Sequence, residues 1–113
     1  MMNINISKVK IIVTVPIGKA EKIKQVLGDA GADVIGNYTH CTISTKVIGT
    51  FKPNKNANPY IGKKNKLEVV QEEKIEVQCD IGIVKDVLKR LREVHPYEEP
   101  AIDIVPLINE KDL

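Results

Sequence analysis

The sequence lacks the features that mark secreted, membrane-spanning or metal-cluster proteins. Among its 113 residues are two cysteines, Cys41 and Cys79, without the close spacing of a metal-binding pair or the regular spacing of a disulfide framework. No apolar run approaches the length that spans a bilayer, and the N-terminus has no basic segment followed by an apolar stretch. These absences predict a cytoplasmic protein with reduced thiols and no membrane partner.

The sequence also lacks a strong charge of one sign. Seventeen Lys and Arg stand against fifteen Asp and Glu, and the net charge of +2 is too weak to indicate nucleic acid as the partner. Neither G-x-G-x-x-G nor G-x-x-x-x-G-K-[ST] is present, and no Ser, His and Asp arrangement suggests a nucleophile. The length and an apolar content of 42% predict a single domain over residues 1–113.

What the sequence does have is four apolar alternations and two helical patterns. Alternation predicts strands near 8–15, 36–47, 67–79 and 101–107. Apolar residues at helical spacing predict a helix over 19–30 and a second helix after Asp80 that Pro96 stops at His95. Gly31 is expected to end the first helix in a left-handed conformation, and Asp80 to cap the second. The order predicts an α+β ferredoxin-like βαββαβ sandwich, a four-stranded antiparallel sheet with two helices on one face.

The face of the sheet without helices is predicted to carry ring-bearing and apolar side chains. Alternation places Ile12, Tyr38, His40 and Thr42 there, and puts Cys41 on the opposite face as a small core residue. Such a surface favours burial against another copy of the chain. His40 on this face would be free to meet a second subunit or a neighbouring chain's His95.

The stretch "HPYEEP", residues 95–100, is the first candidate site. His95, Tyr97, Glu98 and Glu99 offer an imidazole, a phenol and two carboxylates within five residues, enough for part of a metal site or for recognition of a polar ligand. The alternative is structural: His95 bonds a backbone carbonyl and Tyr97 closes the end of the core. Both interpretations stay open at this point.

The Gly, Pro, Asn and Lys-rich stretch 49–66 is the second candidate. It carries five lysines without an acidic residue, together with Phe51 and Tyr60. This composition suits either a basic surface for phosphate or RNA, or a solvated loop whose glycines and prolines account for its composition. The plain loop is favoured, so nucleic acid is not expected as the partner.

Four stretches in order, "GADVIGNYTHCTIS", "GTFKPN", "NPYIG" and "HPYEEPAIDIVPL", together resemble a known domain. The chain is similar to the YqfO-type domain inserted in proteins like NGG-interacting factor three, which also occurs as a free-standing protein. "HPYEEP" also resembles, more distantly, the CutA proteins. These resemblances imply a ferredoxin-like domain that forms trimers, as CutA and PII-like signalling proteins do.

Full-length relatives of this type are often labelled GTP cyclohydrolase type 2 homologues and carry a dinuclear metal site in their flanking domains. That site is not expected here, because two histidines are too few to rebuild its cluster of ligands. The first hypothesis is therefore a non-catalytic, oligomeric binding or regulatory module. Its ligand, a divalent metal ion or a small molecule, is expected near His95, Tyr97 and Glu98, with His40 as a further ligand-binding candidate and His95 and Glu98 as candidate metal ligands.

Two alternatives are carried beside that hypothesis. A metal-dependent hydrolase would use the HPYEEP motif, but no second acid, base or nucleophile can be identified to act with it. Nucleic-acid binding would use the lysine-rich loop. No cofactor other than a divalent metal ion is predicted.

Overall fold

The computed structural model describes residues 4–113 and contains four antiparallel strands and two helices in the predicted order. The elements are β1 (Lys8–Pro16), α1 (Ala20–Asp29), β2 (Ile43–Phe51), β3 (Glu68–Asp80), α2 (Val84–Val94) and β4 (Ile102–Leu107). The sheet order is β2-β3-β1-β4, with every neighbouring pair antiparallel. The predicted ferredoxin-like sandwich is confirmed.

The core lies between the helices and one face of the central strands. Alternate residues of β1 are buried, and β3 contributes the matching positions opposite them. The buried aliphatic side chains of this layer are Val9, Ile11, Val13, Val15, Ile23, Leu27, Ile75, Val77, Val87 and Leu91. Full burial of a side chain of this size stabilises the fold by roughly 1.5–3 kcal/mol.

The predicted limits of the helices and of β4 agree well with the structure. Gly31 follows α1 with a φ of 96°, as expected for a left-handed residue after a helix. His95 leaves the helical region at the end of α2, before Pro96. Pro106 lies on the edge strand β4, where the missing N–H is tolerated. The predicted cap is wrong: Ile83 is the N-cap of α2, no side chain caps it, and Asp80 contributes only its carbonyl, to the Ile83 N–H.

The second strand is displaced from its predicted position. It begins at Ile43 rather than near residue 36, and it continues to Phe51, into the stretch predicted to be a loop. Asp33, Gly36 and His40 have positive φ values of 66°, 58° and 56°, and an extended strand cannot run through left-handed residues. The alternation from Tyr38 onward is therefore not the alternation of a strand.

The predicted composition of the helix-free face is accordingly wrong in part. Ile12 lies there, since the opposite positions of β1 face the core. Tyr38 precedes β2 in an isolated bridge with Ile35 and is 73% exposed. Thr42 also lies before β2. Cys41 is only partly buried and lies outside the core, while Cys79 is buried within it, and both thiols are free.

Strands β2 and β3 extend beyond the rest of the sheet. The pairing of β2 with β3 continues to Phe51 and Glu68, whereas β1 pairs with β3 only as far as Glu72. The overhang defined by residues 48–51 and 68–71 is therefore a two-stranded ribbon, closed by the loop 52–67. The end of α2 and the HPYEEP segment lie at the same end of the sheet, because His95 contacts Thr14 near the end of β1.

Candidate functional site

A cavity of about 590 Å³ opens where the overhang, the 52–67 loop and the HPYEEP segment meet. This volume lies in the range of small-molecule sites, roughly 300–1,000 Å³. Three aromatic rings and three carboxyl groups contribute to its wall: Phe51, Tyr60, Glu72, Tyr97, Glu98 and Glu99. Two of the predicted site residues, Tyr97 and Glu98, therefore face a common space.

Tyr97 lies at the centre of an aromatic group. Its ring centroid is 6.0 Å from that of Phe51 and 6.3 Å from that of Tyr60, each in an edge-to-face arrangement. The phenol donates a hydrogen bond of 2.7 Å to Glu72 Oε2. Burial, together with this hydrogen bond to Glu72, raises the pKa of the Tyr97 phenol. Tyr97 is therefore held as a neutral hydrogen-bond donor.

Glu72 is the acceptor for Tyr97 and is itself 6% exposed. It lies on β3 opposite Val47 of β2, at the point where the overhang leaves the main sheet. A Cβ atom on Gly49 would collide with Glu72 Oε1 and would lie 2.9 Å from its Cδ. Glycine at position 49 therefore provides the space in which the carboxyl group of Glu72 lies.

His95 supports Tyr97 from outside the cavity wall. Its Nε2–H donates to the carbonyl of Thr14 at 2.8 Å, and its Nδ1 accepts from the backbone N–H of Tyr97 at 3.1 Å. Burial lowers the pKa of the imidazole, so the neutral form is favoured. Both ring nitrogens are thus engaged with backbone groups, which is the structural role considered for this residue.

Glu98 connects the HPYEEP segment to the loop over the cavity. Its Oε1 accepts a hydrogen bond of 2.8 Å from the backbone N–H of Asn58. The loop also makes internal bonds, from the Asn65 N–H to the Pro53 carbonyl at 2.6 Å and from the Ala57 N–H to the Asn54 carbonyl at 3.1 Å. The stretch predicted to be a solvated loop is therefore a folded wall of the cavity.

His40 is not brought to this site. Its Nε2 lies 3.0 Å from Asp29 Oδ1 in the last turn of α1, and its ring occupies the space that a Cβ on Gly28 would fill. His95 contacts β1 just before α1 begins, and the ten residues of α1 span about 15 Å. The expectation that His40 lies on the helix-free face is wrong, because His40 packs against a helix.

The residues described by the structure do not supply a ready metal centre. Within 4–113, no group of three or more His, Cys, Asp or Glu side chains is placed to hold a metal ion. The two candidate metal ligands are already bonded, His95 to Thr14 and Tyr97, and Glu98 to Asn58. A metal at the HPYEEP segment would have to displace one of these contacts.

Sequence patterns did not reveal several residues of the site. Glu72 was hidden within the charged run "QEEK", and its importance depends on which of three neighbouring polar residues is buried. Gly49 and Asn58 belong to a stretch whose composition predicts only a loop. Phe51 and Tyr60 are recognisable as aromatic residues of that stretch, but nothing in their spacing indicates that both lie against Tyr97.

Comparison with curated proteins finds close similarity to part of a longer protein. The chain is 46% identical over 101 residues to the "GTP cyclohydrolase 1 type 2 homolog" of Halalkalibacterium halodurans, covering 89% of this chain and 27% of that protein. The chain thus spans about a quarter of the length of such curated relatives. No family model matches the chain.

Among solved structures, the chain is similar in both sequence and fold to a NIF3-related protein, and in fold to two further proteins. A Bacillus cereus protein related to NIF3 matches with a TM-score of 0.81 and 38% identity, covering 96% of this chain and 28% of that one. CutA from Archaeoglobus fulgidus matches with a TM-score of 0.65 and 20% identity, covering 88% and 83% of the two chains. GlnK from B. subtilis, in a complex with ATP, matches with a TM-score of 0.61 and 17% identity, covering 89% of this chain and 82% of that one. The resemblance to NIF3-related proteins is confirmed, and the CutA and PII-like likeness holds for the fold.

Proposed function

We propose that this chain, which is similar to about a quarter of a NIF3-related protein, is a non-catalytic binding or regulatory module that holds a small ligand in the cavity beside the HPYEEP segment. The proposal rests on two hydrogen bonds that fix the wall of the cavity. Glu72 orients the Tyr97 phenol, and Glu98 holds the loop at Asn58. Burial of the Glu72 carboxyl group costs free energy, and Gly49 leaves the space that this group occupies. We infer that an arrangement kept at this cost serves a function.

Within this function, Tyr97 and Glu98 contact the ligand or the loop that covers it, and His95 is a positioning residue. His40 has no part in it, because it contacts Asp29 at the other end of α1. A divalent metal ion is the less favoured occupant, since His95 has no free nitrogen lone pair in the observed arrangement.

A catalytic role is not part of the proposal. The relatives' printed name includes a GTP cyclohydrolase, but the chain spans about a quarter of their length. The cavity wall contains neither serine, cysteine nor histidine, and its hydroxyl groups are those of threonine and tyrosine. The wall does place the Tyr97 hydroxyl beside the Glu72 carboxyl group, but the raised pKa of this phenol disfavours the phenolate that a tyrosine nucleophile requires. Metal-dependent turnover of GTP by this chain, lost in Glu98→Gln, would favour the hydrolase instead.

The test of the ligand site is a fragment screen by amide NMR spectra with neutral, cationic and anionic compounds. We expect hits that shift the amide signals of Asn58 and Tyr97 and that lose affinity in Tyr97→Ala. His40→Ala is the matched control, because it removes an aromatic side chain outside the cavity. A screen in which no fragment shifts these signals, or in which Tyr97→Ala binds as well as the unaltered protein, contradicts the proposal.

We also propose that the chain forms a homo-oligomer, with a trimer as the preferred count by resemblance. Ile48 and Val69 lie on the same face of the overhang and are 71% and 65% exposed. Strand β2 is a nine-residue edge strand, and no strand among residues 4–113 pairs with its outer side, so this side readily accepts another chain.

No helix among residues 4–113 has the length and apolar content needed to cross a membrane.

Light scattering at tens of micromolar protein tests the assembly. The double substitution Ile48→Lys and Val69→Lys should lower the mass toward that of a monomer, because charges cannot be buried unpaired at an interface. Ile81→Lys is the control, since Ile81 is half exposed in the turn after β3, away from the overhang. A monomer mass for the unaltered protein would overturn the proposal.

A further inference from the structure

The charged groups of the cavity wall are unequal in sign. Glu72, Glu98 and Glu99 contribute carboxyl groups, whereas Lys52 contributes the single ammonium group among the lining residues. The remaining lysines of the 52–67 loop are exposed and do not line the cavity. His95 adds no positive charge, because it lies behind Tyr97 and burial favours its neutral form. The electric field in the cavity therefore disfavours anions.

The aromatic groups reinforce this selectivity. Phe51, Tyr60 and Tyr97 all line the cavity, and Phe51 and Tyr60 are each in edge-to-face contact with Tyr97. The faces of aromatic rings carry partial negative charge and attract cations within about 6 Å of the ring centroid. The aromatic rings and the carboxylates that line the cavity therefore both favour a positively charged ligand.

The size and apolar content of the wall indicate what kind of cation fits. A space of about 590 Å³ is far larger than a single metal ion, and Pro53, Pro59 and Ile61 supply apolar surface beside the charged groups. Metal ions also need several ligands at fixed distances, and none of the described residues 4–113 form such a group. An organic molecule with a cationic end and an apolar body matches both parts of the wall.

We propose that the cavity binds a small organic cation, in which an amidinium, guanidinium or ammonium group meets the carboxylates and an apolar body lies against the aromatic rings. The inference rests on the proposed function and names its ligand class. Glu72 forms the buried end of the site: its Oε2 accepts from Tyr97, and its Oε1 lies beside Gly49. Glu99 is an exposed residue of the wall and adds charge at the entrance.

Three ligands of nearly equal shape test the sign of charge directly: benzamidine, benzamide and benzoate are cationic, neutral and anionic at neutral pH. Each is titrated into the full chain and followed by amide NMR signals of Asn58 and Tyr97. We expect benzamidine to bind at least about tenfold more tightly than benzoate, with benzamide between them, and its affinity to fall as salt is added. Equal or tighter binding of benzoate would overturn the inference.

Two variants locate the interaction. Glu72→Gln should weaken benzamidine binding more than benzamide binding. Because this variant alters a buried residue and could unfold the chain, Glu99→Gln provides a second measurement, with a loss of about threefold for benzamidine and none for benzamide. Glu93→Gln, exposed on α2 outside the cavity, is the matched control. Benzamidine binding that is equal in Glu99→Gln and Glu93→Gln would contradict the inference.

The failure of this inference can be told apart from the failure of the proposed function. If neutral or anionic fragments of the screen bind in the cavity and benzamidine does not, the site exists and its assigned ligand class is wrong. If no fragment of any charge shifts the signals of Asn58 and Tyr97, both proposals are wrong.

Discussion

Replacement of Asp33 by Asn should change how the stability of the protein depends on pH. Asp33 has no exposed surface, and no hydrogen-bond donor among residues 4–113 contacts either of its carboxyl oxygens. Burial raises the pKa of this carboxyl group from 3.8 to about 7, although the nearby His40 acts in the opposite direction. Besides His40, the titratable thiol of Cys79 lies close enough for the Asp33 charge to affect its pKa.

The direction and size of the effect follow from this shift. Between pH 3.8 and about 7 the unfolded chain has lost the proton of Asp33, whereas the folded protein still binds it. The folded state therefore loses stability as pH rises through this window, and the loss is absent below it. An interval of about three pH units corresponds to about 4 kcal/mol, at about 1.4 kcal/mol for each unit.

Asp33→Asn removes the titration while keeping the shape of the side chain. Asn also tolerates the positive φ of 66° at this position. The free energy of unfolding of the variant minus that of the unaltered protein should therefore rise by about 4 kcal/mol between about pH 4 and about pH 8. A constant cost from the buried amide shifts this difference but does not change its slope.

Urea denaturation at a series of pH values, at one fixed protein concentration, measures the difference. Asp86→Asn is the matched control, because it removes the same charge from an exposed position on α2. We expect the rise for Asp33→Asn alone. A difference that stays constant from about pH 4 to about pH 8, or that falls with rising pH, would refute the account of Asp33 as a buried carboxyl group without a partner.

Two further substitutions test the support of the cavity. Gly49→Ala should lower the free energy of unfolding by roughly 1–3 kcal/mol and displace the Glu72 carboxyl group, which would lower the melting temperature and shift the Tyr97 amide signal. Gly82→Ala is the control, because a Cβ atom there meets nothing within 4 Å. Equal melting temperatures of the two variants would contradict the reasoning. His95→Ala should cost roughly 1–3 kcal/mol at neutral pH through the lost bond to the Thr14 carbonyl. Because the pKa of His95 is lowered in the folded state, its contribution to stability falls as pH drops below 6.5, opposite in sign to the contribution of Asp33. The free energy of unfolding of His95→Ala minus that of the unaltered protein should therefore rise as pH drops below 6.5, and urea denaturation that gives a constant difference would contradict the assignment.

The fold could be predicted because most of its elements are stabilised by residues close together in the chain. Alternation in β1, the apolar stripe of α2 and Pro96 after His95 each act within a few residues, and the observed limits agree with them. The second strand begins later than the alternation predicts, because polar and apolar residues also alternate before Ile43. Left-handed residues break that segment, and their φ values depend on contacts with α1 and β3, such as the packing of His40 against Gly28.

The sequence by itself determined the order of the elements, the apolar faces of β1 and α2, and the position of the HPYEEP segment at the end of α2. Only the tertiary structure decided which residues meet that segment: Thr14, Phe51, Glu72 and Asn58 come from β1, β2, β3 and the loop. Periodicity tells which face of an element is buried, because it depends on the geometry of one strand or helix. It does not tell which residues of distant strands come together, since that depends on strand register and on how far β2 and β3 extend beyond β1. The separation of His40 from His95 is also decided by the tertiary structure. His40 contacts Asp29 at the end of α1, whereas His95 contacts Thr14 on β1, before α1 begins.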